Sequence, residues 1–335
     1  MALAPGTVTA VAAPPRGVGD ARGPVDVSVL VPAKDEAENL PLFMEQAAAA
    51  FESTPATFEV VVIDDGSEDD SWAVLQDLAP RYPFLRLVRH RTRRGIADAL
   101  RTGYRQARGR VLVFYPADLQ YRPEDIPRLV APILRGESDM VTGQKQGHYE
   151  KAFVSRVYNR LSRMLFRVPV RDLNSVKAYR REIMEVVPAR PDWHRYMIVM
   201  AAAEGYSVSE IPVPLYPRHA GHSKFGIGRI PIGVLDMLSV WFELRFGRKP
   251  LLLFGLLGAA LFAVGVLVGV AGLIARYGFG IGFRPLLNLV EVCVIVGSVL
   301  FVGGFLGEMI AGQRAELREL RRRVDAEHPD GDAHD

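Results

Sequence analysis

The chain is poor in the residues from which covalent and nucleophilic sites are built. It has one cysteine, Cys293, in 335 residues, so it forms no internal disulfide, and no cysteine–histidine spacing resembles a zinc site. The lone cysteine fits a catalytic part on the reducing, cytoplasmic side. No Ser–His–Asp or paired-glutamate constellation stands out. The net charge is only +3, too small to expect a nucleic-acid partner. Residues 1–24, rich in Ala, Gly and Pro, lack a basic start followed by an apolar core. They are expected to form a disordered leader and not a signal peptide.

What is present is organised around Val111–Pro123, VLVFYPADLQYRP. Val111 to Tyr115 is expected to be a buried strand. It runs out at Pro116, and Asp118 and Gln120 follow directly. Ligands of open α/β sheets sit beyond the carboxyl ends of parallel strands. A carboxylate and an amide oxygen there suit a hard cation such as Mg2+ or Mn2+. An Asp that only caps a turn is the plainer alternative.

The same scheme recurs upstream. Val25–Val31 reads as a strand leading to PAKDEAENLP and a helix over Leu40–Phe51. Phe58–Ile63 leads to Asp64, Asp65 and Gly66, with Ser67 and Asp70 spaced as a capping box. Leu85–Val88 leads to Arg93, Arg94 and a helix over Gly95–Ala107. Such units predict an α/β fold with a mostly parallel, doubly wound sheet. Acids ahead of helices are ordinary caps. The adjacent pair Asp64–Asp65 exceeds that need, because like charges at a strand edge repel unless something uses them.

Further on, residues 152–167 place Phe153, Val157, Leu161, Met164 and Leu165 on one helical face and Arg156, Arg160, Arg163 and Arg167 on another. This predicts a basic amphipathic helix on an anionic membrane surface. A second interfacial helix is expected within 229–249. Leu251–Ala275 carries no charge over 25 residues, about 37 Å of helix against a hydrocarbon core of about 30 Å. Leu286–Ile310 is a second transmembrane span, with Glu291 and Glu308 towards its ends. Gly265, Gly269, Gly303 and Gly307 permit close helix approach, within the hairpin or between subunits of a homo-oligomer. The positive-inside rule puts both chain ends in the cytoplasm. The expected organisation is a catalytic domain over 25–228, a membrane hairpin over 250–312 and a charged cytoplasmic tail over 313–335.

The segments VSVLVPAKDEAENLP, VVVIDDGSEDDS, RRGIADALRTG, ADLQYRPEDIP, SVKAYRRE and PRHAGHSKFG resemble family 2 glycosyltransferases of the GT-A fold. They are most similar to the membrane-bound polyprenyl-phosphate glycosyltransferases, the dolichol-phosphate mannose synthase-like group. The resemblance spans Val25 to Gly312. It implies an inverting transfer of a sugar from a GDP- or UDP-linked donor to a polyprenyl phosphate, with Mg2+ or Mn2+ as cofactor and membrane lipids as partners. By position it implies that Pro32, Asp35 and Glu36 border the base and ribose, with Asp64 and Asp65 also at the nucleotide-sugar. Asp118 and Gln120 would hold the metal, while Arg218 and Lys224 close over the diphosphate. Lys145, Lys151 and Ser155 would take the acceptor phosphate. Three positions depart from the pattern: Pro116 stands where an Asp is usual, Asp35 where an Asn is, and Lys34 where a Tyr is. Pro116 offers no ligand, so a catalytically impaired membrane-bound scaffold is the rival reading.

Overall fold

The computed structural model describes residues 25–52, 54–147, 160, 162, 164–166, 168, 170–186, 193–220, 230–247, 249–280 and 284–327. The chain divides into two compact units, residues 1–237 and 238–335.

The first unit is built on seven strands: β1 (Val27–Ala33), β2 (Phe58–Asp64), β3 (Leu85–Arg89), β4 (Val111–Phe114), β5 (Met140–Gln146), β6 (Lys177–Arg180) and β7 (Val208–Pro214). Their order across the sheet is β3-β2-β1-β4-β6-β5-β7. Only β6 runs antiparallel to its neighbours. Alternate apolar residues explain why the strands are central. Val27, Val29, Val31, Val60, Val62, Val111, Val113 and Tyr115 form one core with Phe43 and Met44 of α1 (Leu40–Glu52) and Leu129 and Val130 of α4 (Ile126–Leu134). The opposite face is covered as well. Helix α3 (Ile96–Gln106) approaches so closely that a Cβ on Gly103 would lie 2.8 Å from Ile63 and 3.2 Å from Leu30. A sheet buried on both faces is what near-continuous Val, Ile and Leu runs require.

After β1 the chain adds β2 and β3 on one side, then crosses to lay β4 on the other. The carboxyl ends of β1 and β4 therefore form a topological switch point, where an open sheet leaves a crevice. The loops carrying Asp35, Asp65 and Asp118 all emerge at this edge.

One local expectation is corrected. Helix α2 (Ser71–Leu78) has no side-chain cap from Asp70, and Ser67 makes no capping box. The Ser67 hydroxyl instead accepts the Asp35 amide at 2.9 Å, and the Ser71 hydroxyl accepts the Glu36 amide at 2.8 Å. The serines tie the loop after β1 to the loop after β2, and that long-range use outcompetes the local one.

Of the expected amphipathic helix over 152–167, residues 160, 162 and 164–166 are described and helical. Ser162 is buried against Met237, while Met164 is 69% exposed. Helix α7 (Ile230–Phe246) carries exposed Leu235 and Leu238. Between these lie the one-turn α5 (Ile183–Val186) and α6 (Met197–Ala203).

The second unit is dominated by α8 (Pro250–Phe279) and α9 (Arg284–Glu327). Within them Pro250–Phe279 and Pro285–Leu317 are long and apolar enough to cross a membrane, and only 17% of each apolar window is buried. Core helices of a soluble protein would be mostly covered. The segment from Gln313 to Glu327 continues α9 as helix. The two helices meet where side chains are absent: a Cβ on Gly258 would fall 2.5 Å from the Phe301 amide, and one on Gly297 would fall 2.6 Å from the Phe262 amide. Of the four glycines singled out from spacing, Gly265, Gly269 and Gly307 face the partner helix, whereas Gly303 has open space around it. Glu308 accepts the Leu251 amide at 3.2 Å, capping the first turn of α8 with negative charge.

Gly258→Val should destabilise the hairpin by about 1–3 kcal/mol through overpacking, whereas Gly303→Val should leave the thermal midpoint in detergent unchanged. Scanning fluorimetry of both variants checks the asymmetry.

Candidate active site

Four loops meet at the switch point. After β1, Lys34 donates to the Gly66 carbonyl at 2.9 Å and pairs with Glu68 at 3.0 Å and Asp35 at 3.2 Å. Asp35 has φ 54°, a left-handed conformation that Asp tolerates better than most residues. Its carboxylate also accepts the Glu68 amide at 2.9 Å. The departures at 34 and 35 are thus used together, as an ion pair bridging the β1 and β2 loops. Glu36 accepts Asn39 at 2.6 Å, and Pro32 is half-buried at the end of β1.

After β2, the two adjacent acids diverge. Asp64 is fully buried, accepts the Ser67 amide at 2.9 Å and lies 3.1 Å from the Arg89 guanidinium. Asp65 accepts His90 Nδ1 at 2.9 Å and the amides of Arg94 and Gly95 at 2.8 Å each. Burial pushes the Asp65 carboxyl up, but His90 and the two amides hold it below the usual carboxylate range. Each acid has its own internal partners, so the repulsion expected of the pair is relieved inside the fold. Gly66, at φ 70°, lets the loops close: a Cβ there would meet the Arg93 amide at 2.8 Å. His90, buried after β3, also reaches Thr102 at 3.0 Å through Nε2. Sequence reasoning passed over His90, although a histidine directly after a strand was the available signal.

After β4 comes the turn that carries Asp118. Leu119 sits at φ 57°, a genuine strain for a bulky residue and one that clusters at functional sites. The strained turn aims Asp118 and Gln120 at one point. Arg218, from the loop after β7, lies 2.9 Å from the Asp118 carboxylate and donates to the Gln120 side-chain oxygen at 3.3 Å. The loops are also sewn together by the Tyr216 amide on the Gln120 carbonyl at 2.9 Å and by Arg122 stacked 4.0 Å over the Tyr216 ring. Burial raises the Asp118 pKa, opposed by Arg218. Asp118 and Gln120 thus offer two oxygens converging on a single positive charge. Such a pair fits a divalent cation whose remaining ligands come from phosphate and water. Among the described residues no group of three His, Cys, Asp or Glu forms a protein-only cage.

Deeper in the sheet, Lys177 and His194 flank Phe114. Lys177 is the register partner of Phe114 and donates to the Ser175 carbonyl at 2.8 Å. Burial lowers its pKa to about 7. His194 meets the Phe114 ring edge-on at 6.1 Å, and burial, Lys177 and Arg195 push its pKa down to about 3. Lys145 pairs with Asp172 at 3.3 Å and donates to the Asn174 carbonyl at 2.6 Å. Lys177 was not foreseen; a lone lysine alternating with apolar residues in a central strand was its signal. Lys151, Ser155 and Lys224 lie outside the described residues.

The family model described as glycosyl transferase family 2 matches residues 28–186. The dodecaprenyl-phosphate galacturonate synthase of Rhizobium johnstonii is 32% identical over 309 residues, covering 89% of this chain and 91% of that protein. An undecaprenyl-phosphate 4-deoxy-4-formamido-L-arabinose transferase of Pseudomonas fluorescens is 29% identical, covering 90% and 91%. Among solved structures, glucosyl-3-phosphoglycerate synthase from Mycobacterium tuberculosis, determined with Mn2+, UDP and glucosyl-3-phosphoglycerate, superposes with a TM-score of 0.53 at 19% identity. That match covers 65% of this chain and 80% of the other, and it shows the GT-A fold.

The His194 environment sets a pH dependence. As pH falls from about 6.5 towards about 3, the unfolded chain takes up a proton at this ring that the folded chain refuses. Stability is therefore lost across that window, and none of it is at stake above pH 6.5. Thermal midpoints measured from pH 7 down to pH 4 should fall less steeply for His194→Phe than for the wild type.

Proposed function

The chain belongs to glycosyl transferase family 2, and from that premise we propose that it moves a sugar from a GDP- or UDP-linked donor to a polyprenyl phosphate at the cytoplasmic membrane face. The observation that carries this reading is the convergence of Asp118, Gln120 and Arg218 at the β1/β4 switch point. In this reading the donor lies along the carboxyl edge, its base and ribose against Pro32, Asp35 and Glu36. Asp64 and Asp65 act through the loops they hold. Arg218 and Lys224 lie against the diphosphate. A divalent cation, Mg2+ or Mn2+, held by Asp118 and Gln120 would supply neutralisation of the charge that develops on the leaving diphosphate.

A phosphate oxygen of the lipid attacks the anomeric carbon in line. The bond to the nucleoside diphosphate breaks, its electron pair leaves with the diphosphate, and the configuration inverts. The nucleophile is already anionic near neutral pH, so no strong general base is required. The barrier falls through positioning and through stabilisation of the leaving group by Arg218 and Lys224. Lys145, Lys151 and Ser155 are assigned to the acceptor phosphate, with the Asp172 carboxylate steering Lys145.

The orientation rests on charge. Arg245, Arg248 and Lys249 precede the hairpin and Arg314, Arg318 and Arg321–Arg323 follow it, against Arg276 and Arg284 between the spans. Both chain ends and the first unit then face the cytoplasm, with the exposed apolar residues of 164 and 235–238 at the lipid boundary. The scaffold reading raised by Pro116 gains no support from the relatives, which are named as a synthase and a transferase.

The test is transfer of label from UDP- and GDP-sugars into undecaprenyl phosphate by the purified full-length chain. Label should enter the lipid phase from at least one donor and fall by roughly a hundredfold or more in Asp118→Ala; no lipid labelling from any donor would overturn the proposal. Pro116→Asp should transfer as fast as the wild type or faster in the same assay.

A further inference from the structure

Behind the turn that carries Asp118, the sheet buries a lysine and a histidine on one aromatic ring. Lys177 is 1% exposed, and its ammonium has the Ser175 carbonyl at 2.8 Å and the Phe114 ring at 5.7 Å. Among the described residues no carboxylate lies within ion-pair distance of it. His194, packed on the same ring, leaves Nδ1 without a hydrogen-bond partner among the described residues. Asp172 attracts the Lys177 ammonium, while Lys145 and Arg195 repel it. The nearby acid, Asp172, is already engaged by Lys145 at 3.3 Å and by the Asn174 amide at 3.0 Å. A buried ammonium with no carboxylate in direct contact is costly, and an anionic ligand relieves that cost.

We infer that Lys177, with His194, recognises a carboxylate on the transferred sugar, so that the donor is a nucleotide-linked uronic acid. This rests on the transfer reaction proposed above. Two observations favour the sugar over the lipid phosphate as the source of the anion. Once Lys145 is paired with Asp172, one buried ammonium remains, which matches a monoanion. Depth is the second: the lipid phosphate trails an isoprenoid chain that stays in the bilayer, whereas Lys177 and His194 lie inside the sheet. They touch Phe114, four residues before Asp118. The sugar is the part of the substrate joined directly to the diphosphate assigned to that turn. A neutral hexose carries a hydroxymethyl group where the uronate has its carboxylate, and it leaves the ammonium unmatched.

The experiment uses the full-length chain in nanodiscs with two matched donor pairs, UDP-galacturonate with UDP-galactose and GDP-mannuronate with GDP-mannose. Binding is measured by calorimetry without lipid, and transfer is measured separately with undecaprenyl phosphate. For the nucleotide that binds, the uronate should be preferred by at least about thirtyfold. Lys177→Met should narrow that preference by at least tenfold, and Lys177→Arg should retain more of it. Equal binding of uronate and hexose by the wild type, or a preference for the hexose, would overturn the inference whether or not the variants fold. So would a Lys177→Met protein that keeps the donor preference but needs far more undecaprenyl phosphate, since that places Lys177 at the acceptor. A uronate preference in binding with no transfer from any donor would support this inference and count against the reaction. A chain that binds neither pair overturns both.

Discussion

A carboxylate taken out of water must find a partner, and the carboxyl edge of this sheet is shaped by how each acid does so. Asp118 finds Arg218 across the gap between β4 and the loop after β7, and Gln120 shares the same guanidinium. Asp65 finds His90 and two loop amides, and Asp64 finds the Ser67 amide and Arg89. Apart from the local contact of Asp64 with the Ser67 amide, each pairing joins segments 25 or more residues apart, so satisfying the charges also brings the four loops to one place. The strained backbone at Leu119 persists because these contacts over-determine the turn.

The same principle accounts for residues that look irregular when taken one at a time. Lys34 pairs with Asp35 and with Glu68, and so holds the β1 loop against the loop after β2. Pro116 places no second acid beside the buried Asp118. One carboxylate and one amide oxygen remain beside a guanidinium, which leaves less like-charge repulsion in a desolvated turn. Lys177 is the opposite case, a buried lysine held by the Ser175 carbonyl and the face of Phe114 with no carboxylate in direct contact.

In the second unit no charge imbalance organises the packing. Helices α8 and α9 approach through Gly258 and Gly297, where backbone meets backbone, and Glu308 closes the exposed amides at the start of α8. In an apolar solvent, close van der Waals packing and satisfied backbone groups are what hold two helices together.

Period and length were legible in the linear chain. The apolar runs of β1, β2 and β4, the 25 uncharged residues from Leu251, and the acids placed directly after strands led to a doubly wound sheet joined to a membrane hairpin, because burial on both faces and the span of a bilayer leave few alternatives. The candidates Asp118, Gln120 and Arg218 were named from motifs. That they share one point in space was decided by the switch between β1 and β4 and by the path of β7. The capping box at Ser67 failed and His90 and Lys177 went unforeseen for the same reason: their partners Asp35, Asp65 and Phe114 lie 32, 25 and 63 residues away, which spacing along the chain does not encode. Local pattern set the elements, and long-range pairing of buried polar groups set the site.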